Sequence, residues 1–135
     1  MKTVNVRSSK RCELIDITRD VAACIKESGV QSGLVCIFVP HTTAGITINE
    51  NADPDVKRDI IFALERAVPN TGFMHGEGNS DAHTKALMAG FSVTVIVENG
   101  RLVLGTWQSL YFCEFDGPRS RKVNVKIIKS DDEAI

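Results

Sequence analysis

No apolar run in this sequence approaches the ~20 residues that a membrane-spanning helix needs, so a helical membrane protein is not expected. Neither sign of charge is in excess, since 16 Lys and Arg face 17 Asp and Glu for a formal net charge of -1. That balance advertises no nucleic-acid or anionic-membrane partner, and any charge that holds a phosphate must be local. Cysteine is sparse. Cys12, Cys24, Cys36 and Cys113 form no Cys-x-x-Cys pair, and Cys24 and Cys36 sit in apolar runs where buried free thiols are common. A disulfide framework is therefore not expected. The opening Met-Lys-Thr-Val-Asn-Val lacks the apolar stretch of a secretory signal, and the expected location is cytoplasmic.

What remains is ordinary globular material: 135 residues, 43% hydrophobic and 24% charged, expected to form one domain over residues 1–135. Residues 2–7 and 11–17 read as short strands about the turn Ser8-Ser9-Lys10. Thr18 reads as the N-cap of a helix that Gly29 ends. Gly33 to Val39 is apolar on both faces and reads as a central strand covered above and below. Asp53-Pro54-Asp55 opens a second helix with Val56, Ile60, Ala63, Leu64 and Ala67 on its apolar stripe. A glycine-rich loop over 70–79 precedes a third helix, capped by Asn79 or Ser80 and running to about Ala89. Asn99-Gly100 predicts a type I′ hairpin whose return strand passes through Leu102 and Leu104. A further strand covers about 107–115, Gly117-Pro118 breaks it, and Val123, Val125 and Ile127 mark the last strand before an acidic, fraying tail over 130–135. The expected fold class is α+β, a mainly antiparallel sheet or sandwich with two or three helices.

The stretch His41 to Asn51 stands apart from this scaffold. As a strand it alternates, with Thr42, Ala44, Ile46 and Ile48 on one side and His41, Thr43, Gly45, Thr47 and Asn49 on the other. The second side carries an imidazole, two hydroxyls and a carboxamide, with Gly45 leaving room between them. Those groups hydrogen-bond a ligand or hold a metal.

The chain has three histidines: His41 after the buried strand, His75 in the glycine-rich loop and His83 in the first turn of the third helix. Three imidazoles with a carboxylate or water can hold a transition metal, although the His75–His83 spacing matches no short metal motif. The plainer alternative is three separate surface residues. Glu50 can act as a general base or metal ligand, or it can simply make the strand-to-helix turn with Asn49 and Asn51. Arg119 and Arg121 share the face that later carries Val123, where a guanidinium needs an anion. Phosphate is one partner, and Asp116 or Glu114 is the other.

His41-Thr42-Thr43-Ala44-Gly45-Ile46-Thr47-Ile48-Asn49-Glu50-Asn51-Ala52-Asp53-Pro54 resembles the signature segment of the YjbQ-like proteins. Asn79-Ser80-Asp81-Ala82-His83-Thr84-Lys85 is similar to the second family segment. Gly100 to Gln108, running on to Glu114, Arg119 and Arg121, is similar to the third. The resemblance implies a YjbQ-like α+β fold, a homotrimer, and a polar pocket near a subunit boundary. It also implies a secondary thiamine-phosphate synthase activity, which joins a pyrimidine diphosphate to a thiazole phosphate and releases pyrophosphate. On this basis His41, Glu50 and His83 are the expected catalytic residues. Thr43, Asn49, Asn79, Lys85, Gln108, Arg119 and Arg121 are expected to bind substrate, with Glu114 in the same pocket. His41, His75 and His83 are the expected ligands of a divalent metal, zinc or magnesium.

Two rivals stay open. One is a zinc hydrolase with the histidines around an activated water. The other is a non-catalytic module that captures an anionic metabolite. The dedicated thiamine-phosphate synthase builds a (β/α)₈ barrel of typically ~250 residues, beyond the reach of this chain, which leaves room for another physiological substrate.

Overall fold

A computed structural model describes residues 1–131. The expected fraying of the acidic tail falls, from residue 132 onward, outside the described residues. The elements run β1 (Lys2–Arg7), β2 (Glu13–Asp16), α1 (Thr18–Ser28), β3 (Ser32–Phe38), β4 (Ala44–Glu50), α2 (Pro54–Ala67), α3 (Ser80–Ala89), β5 (Ser92–Glu98), β6 (Arg101–Leu102), β7 (Gln108–Glu114) and β8 (Ser120–Lys129). They form a five-stranded sheet ordered β1-β8-β3-β5-β6 and a three-stranded sheet ordered β2-β7-β4. Every pairing is antiparallel, so the α+β expectation holds with three helices. Among the described residues no helix is long and apolar enough to cross a membrane.

The alternating residues of both sheets meet in one core. Val4, Val35, Ile37, Val95 and Val123 come from the larger sheet, Ile46, Leu110 and Phe112 from the smaller, and Val21 and Ile25 from α1. The reverse face of the smaller sheet packs Leu14, Tyr111 and Cys113 against Ala82 and Ala86 of α3. Asn99 and Gly100 both take positive φ, 53° and 71°, as the type I′ hairpin requires. Asp53 caps α2 by accepting from the Asp55 N–H at 2.9 Å. All four thiols are free, and burial raises the pKa of Cys12, Cys24 and Cys113, the last to about 12.

Several expectations change. Thr18 does not cap α1. It is the first helical residue, and its Oγ1 instead accepts from the Leu110 N–H at 2.9 Å, tying the helix to β7. The return strand of the hairpin is only two residues long. β3 is central in its sheet, yet only one face is covered. Val35 and Ile37 are fully buried, whereas Leu34 and Phe38 are 45% and 43% exposed. The apolar stripe of α2 is also shallow, and none of its residues is fully buried. Gly45 makes room for the protein itself rather than for a ligand. A Cβ there would lie 2.6 Å from the Gly90 carbonyl oxygen and 3.0 Å from the Ala89 Cβ, so its absence lets the end of α3 close on β4.

The chain crosses between the sheets three times at one end of the sandwich: Ser8–Cys12 from β1 to β2, Val39–Thr43 from β3 to β4, and Phe115–Arg119 from β7 to β8. The registers place Arg7 opposite Ser120 and both Glu13 and Ala44 opposite Glu114, so the three crossings are neighbours. Pro40 and the cis Gly117–Pro118 peptide sit in two of them. Irregular backbone with side chains free to converge is thereby concentrated at a single corner.

Candidate functional site

The corner is held from beneath by a buried polar network. Glu114 is wholly buried, accepts from Ser8 Oγ at 2.6 Å and the Asp116 N–H at 3.1 Å, and pairs with Arg121 through Nε at 2.9 Å and through Nη2. Arg121 Nη2 also donates to Thr43 Oγ1 at 2.8 Å. Burial would push the Glu114 carboxyl up, but Arg121, Ser8 and the Asp116 N–H outweigh it and hold it below its ordinary value. Thr43 is thus bonded into the network and also lines the cleft above it.

Above this floor lies a cleft of about 550 Å³, lined among others by His41, His75, Glu77, Asn79, His83, Asp116, Arg119 and Arg121. His41 Nε2 accepts the Lys122 backbone N–H at 3.0 Å. A ring nitrogen that accepts is unprotonated, so in the neutral ring Nδ1 carries the hydrogen and is the donor. Burial, followed by the nearby Arg121 guanidinium, lowers the His41 pKa and keeps the ring neutral at pH 7. His83 is bonded through its other nitrogen. Its Nδ1 lies 3.1 Å from the Thr42 carbonyl oxygen, which only accepts, so Nδ1–H donates, and Nε2 makes no hydrogen bond among the described residues. The His75 ring lies edge-on to His83, with centroids 5.7 Å apart.

Arg119 lines the cleft and is braced by Asp116, with Nε to its carbonyl oxygen at 2.9 Å and Nη2 to its Oδ2 at 3.0 Å. Asn79 Nδ2 donates to that same Oδ2 at 2.9 Å. In both arginines Nη1 has no hydrogen-bond partner among the described residues. The carboxylate partners weighed against phosphate are therefore real, with Glu114 on Arg121 and Asp116 on Arg119. They occupy one side of each guanidinium and leave the other.

A family model described as UPF0047 protein YjbQ-like matches residues 2–130. The chain belongs to the YjbQ-like family. The Bacillus subtilis UPF0047 protein YugU is 54% identical over 130 residues, spanning 95% of this chain and 98% of that protein. A UPF0047 protein of Methanocaldococcus jannaschii is 56% identical over 124 residues, 91% of this chain and 90% of that one. A crystal structure of an uncharacterized conserved YjbQ/UPF0047 protein from Clostridium acetobutylicum superposes with a TM-score of 0.93 at 55% identity, covering 95% of this chain and 100% of that one.

The YjbQ-like corner gathers His41, Thr43, His75, His83, Asn79, Arg119 and Arg121 around one cleft and leaves out four residues assigned with them. Asn49 Oδ1 accepts the Glu50 N–H at 2.8 Å and Glu50 Oε2 accepts the Ala52 N–H at 2.9 Å, so both shape the turn into α2. Gln108 Oε1 accepts from the Gly105 N–H at 2.8 Å and steadies the turn before β7. Glu50 pairs with Gln108 across β4 and β7, at the far end of the smaller sheet from the corner. Lys85 is buried beside Asp81 at 3.2 Å, facing Cys12 and Phe115 under α2. Burial of an ammonium demanded a countercharge, and Asp81, also gripped by Arg11 at 2.8 and 2.9 Å, supplies it.

His41, His75 and His83 share the cleft but are not posed as one ligand set. Among the described residues no three His, Cys, Asp or Glu side chains are grouped so as to hold an ion, and the His41 Nε2 lone pair is already taken. His83 does fit a metal ligand, because its other nitrogen donates to a backbone carbonyl as second-sphere support usually does. His75 and Glu77 line the same cleft with donors a divalent ion accepts. Two contributors escaped the sequence reading, Glu77 and Ser8. Each stands near a recognised turn, but nothing in its local pattern tells it from an ordinary solvated residue.

Proposed function

We propose that this YjbQ-like protein binds phosphorylated small molecules in the corner cleft and processes them as a secondary thiamine-phosphate synthase would. One observation carries the reading: Arg119, Arg121 and His41 line the same cleft, while Nη1 of each arginine and Nδ1 of His41 make no hydrogen bond among the described residues. Guanidinium donors match phosphate oxygens, and they stabilise the charge that builds on a departing pyrophosphate. Lys85 adds nothing here, since Asp81 holds it beneath α2.

The test is direct. Thiamine phosphate formation from the pyrimidine diphosphate and thiazole phosphate is followed with the full chain, beside calorimetric titration with phosphate monoesters. Arg119→Gln and His41→Ala are expected to lower both binding and turnover at least tenfold. Unchanged binding in both variants would remove the basis of the proposal.

A second reading, metal-assisted hydrolysis, is favoured by the free Nε2 of His83 beside His75 and Glu77. On this reading His83 would be one ligand of a divalent ion, with His75 and Glu77 in the same cleft as further donors, although no three such side chains are grouped to hold one among the described residues. The ion, when bound, would supply Lewis acidity and an activated water. Stoichiometric zinc in protein purified without an affinity tag would support it over the transferase.

We further propose that the chain works as a homotrimer. The support is the bare face of the larger sheet, where Leu34 stands directly between Ile96 and Ile128, exposed at 45%, 54% and 55%. Contiguous apolar surface of this kind marks an interface. Sedimentation equilibrium tests it, and a stable monomer at micromolar concentration would refute it.

A further inference from the structure

Thr47 and Asn49 lie on the polar side of the His41–Asn51 stretch, yet neither lines the corner cleft. Alternation along β4 decides where they point. Ala44, Ile46 and Ile48 pack into the core between the sheets. Gly45, Thr47 and Asn49 therefore face the other way, toward the helices, where a Cβ on Gly45 would meet Ala89 and Gly90. The helices cover this face unevenly. α3 closes tightly on Gly45, whereas α2 has no fully buried residue.

The gap that remains is a cavity of about 220 Å³, lined by Leu14, Ile60, Leu64 and Met88 together with Thr47 and Asn49. In contrast to the corner cleft, none of its lining residues is charged at neutral pH. Burial pushes the Cys113 thiol, its one titratable group, up to about 12. Asn49 uses Oδ1 to accept the Glu50 N–H, and its Nδ2 makes no hydrogen bond among the described residues. The Thr47 hydroxyl makes none either. It is not sealed off. Asn79 Oδ1 is the one buried side-chain nitrogen or oxygen without a partner among the described residues, so the half-buried Thr47 keeps its Oγ1 accessible. An apolar chamber with a few open polar groups is the usual make-up of a small-molecule site.

We propose that this cavity is a second binding site, separate from the corner cleft, for a small uncharged ring compound that carries one hydrogen-bonding group. Size sets the first limit. A dry cavity of about 150 Å³ already takes benzene, so this one holds a single ring and a polar group of a few atoms. The lining sets the second, because a charge placed among these residues would be buried without a partner. Ile60, Leu64 and Met88 pack against the ring, and Thr47 and Asn49 bond the polar group.

The probes are benzamide and benzoate, which share a ring and differ in charge at pH 7. Each is titrated into the full chain with labelled methyl groups, so that Leu14, Ile60, Leu64 and Met88 report on the cavity by nuclear magnetic resonance. Benzamide is expected to shift these methyls saturably, and benzoate to bind there at least about tenfold more weakly. Thr47→Val removes the hydroxyl and is expected to weaken benzamide about threefold or more, with the methyls outside the cavity showing that the variant is folded. Absence of saturable shifts at these methyls, or benzoate binding there as tightly, would overturn the proposal. So would an unchanged benzamide affinity in folded Thr47→Val. Shifts at the same methyls that follow protein concentration without ligand would assign the cavity to a second copy of the chain and overturn it as well. None of these outcomes bears on the phosphate reading.

Discussion

Replacing Arg121 with methionine strips the buried Glu114 carboxylate of its charge partner. Ser8 Oγ and the Asp116 N–H remain bonded to it, but neither carries a charge. Breaking a buried pair from one side costs about 3–5 kcal/mol, because the surviving charge stays in a poorly solvating place. For a domain of this length that corresponds to a fall in Tm of roughly 10–20 °C.

The pH dependence supplies an independent sign. In the unaltered protein the Glu114 carboxyl titrates below its ordinary value. Its contribution is thus present above the unfolded pKa and lost as pH falls through the folded one. In Arg121→Met burial prevails and the folded pKa rises, so the variant takes up a proton on acidification. Its deficit narrows between pH 7 and 5. Adding Glu114→Leu removes the stranded charge, and the double variant is expected to recover at least half of the loss. It still lacks the guanidinium, so phosphate binding stays lost although the fold returns. Urea unfolding followed by circular dichroism at pH 7 and 5 reads all three proteins. A single-variant loss below about 1 kcal/mol, or one that does not change with pH, would refute the reasoning.

Three further outcomes are expected. Because the His41 pKa is depressed by burial, its contribution to stability is full above the ordinary histidine value of about 6.5 and declines as pH falls below it; His41→Gln should flatten the stability profile in that window, as thermal unfolding at pH 5 to 7 will register. Arg11, set against burial, and then Lys85 hold the Asp81 pKa at about 2, so its contribution persists down to strongly acidic pH. Asp81→Asn, which strands the buried Lys85, should cost about 3–5 kcal/mol at pH 7 by urea unfolding. Gly45→Ala places a methyl group 2.6 Å from the Gly90 carbonyl oxygen. It should cost about 1–3 kcal/mol and weaken phosphate binding by displacing α3 and with it His83, both measurable on the same sample.

Local chemistry was enough to foresee much of the scaffold. Positive φ is accessible to Asn99 and Gly100, Asp53-Pro54 suits only a helix start, and Val35, Ile37, Val123 and Val125 alternate with the strand period. These depend on residues close in sequence, and so they were legible. The family segments also singled out residues that share one cleft, since His41, His83, Arg119 and Arg121 all line it.

Other features depended on distance in space. His41 to Asn49 reads as one polar face, but the chain passes from one sheet to the other before Ala44. The face is thereby split, and Asn49 and Glu50 end up at the opposite end of the smaller sheet. Lys85 sits two residues beyond His83, yet the helix turns its side chain toward Asp81 and the core. The lone pair that takes His41 out of the metal set is occupied by a backbone N–H 81 residues away in sequence. Hydrogen bonds and burial between distant segments decide which polar residue faces a ligand and which one holds the wall behind it, and only the folded chain brings those segments together.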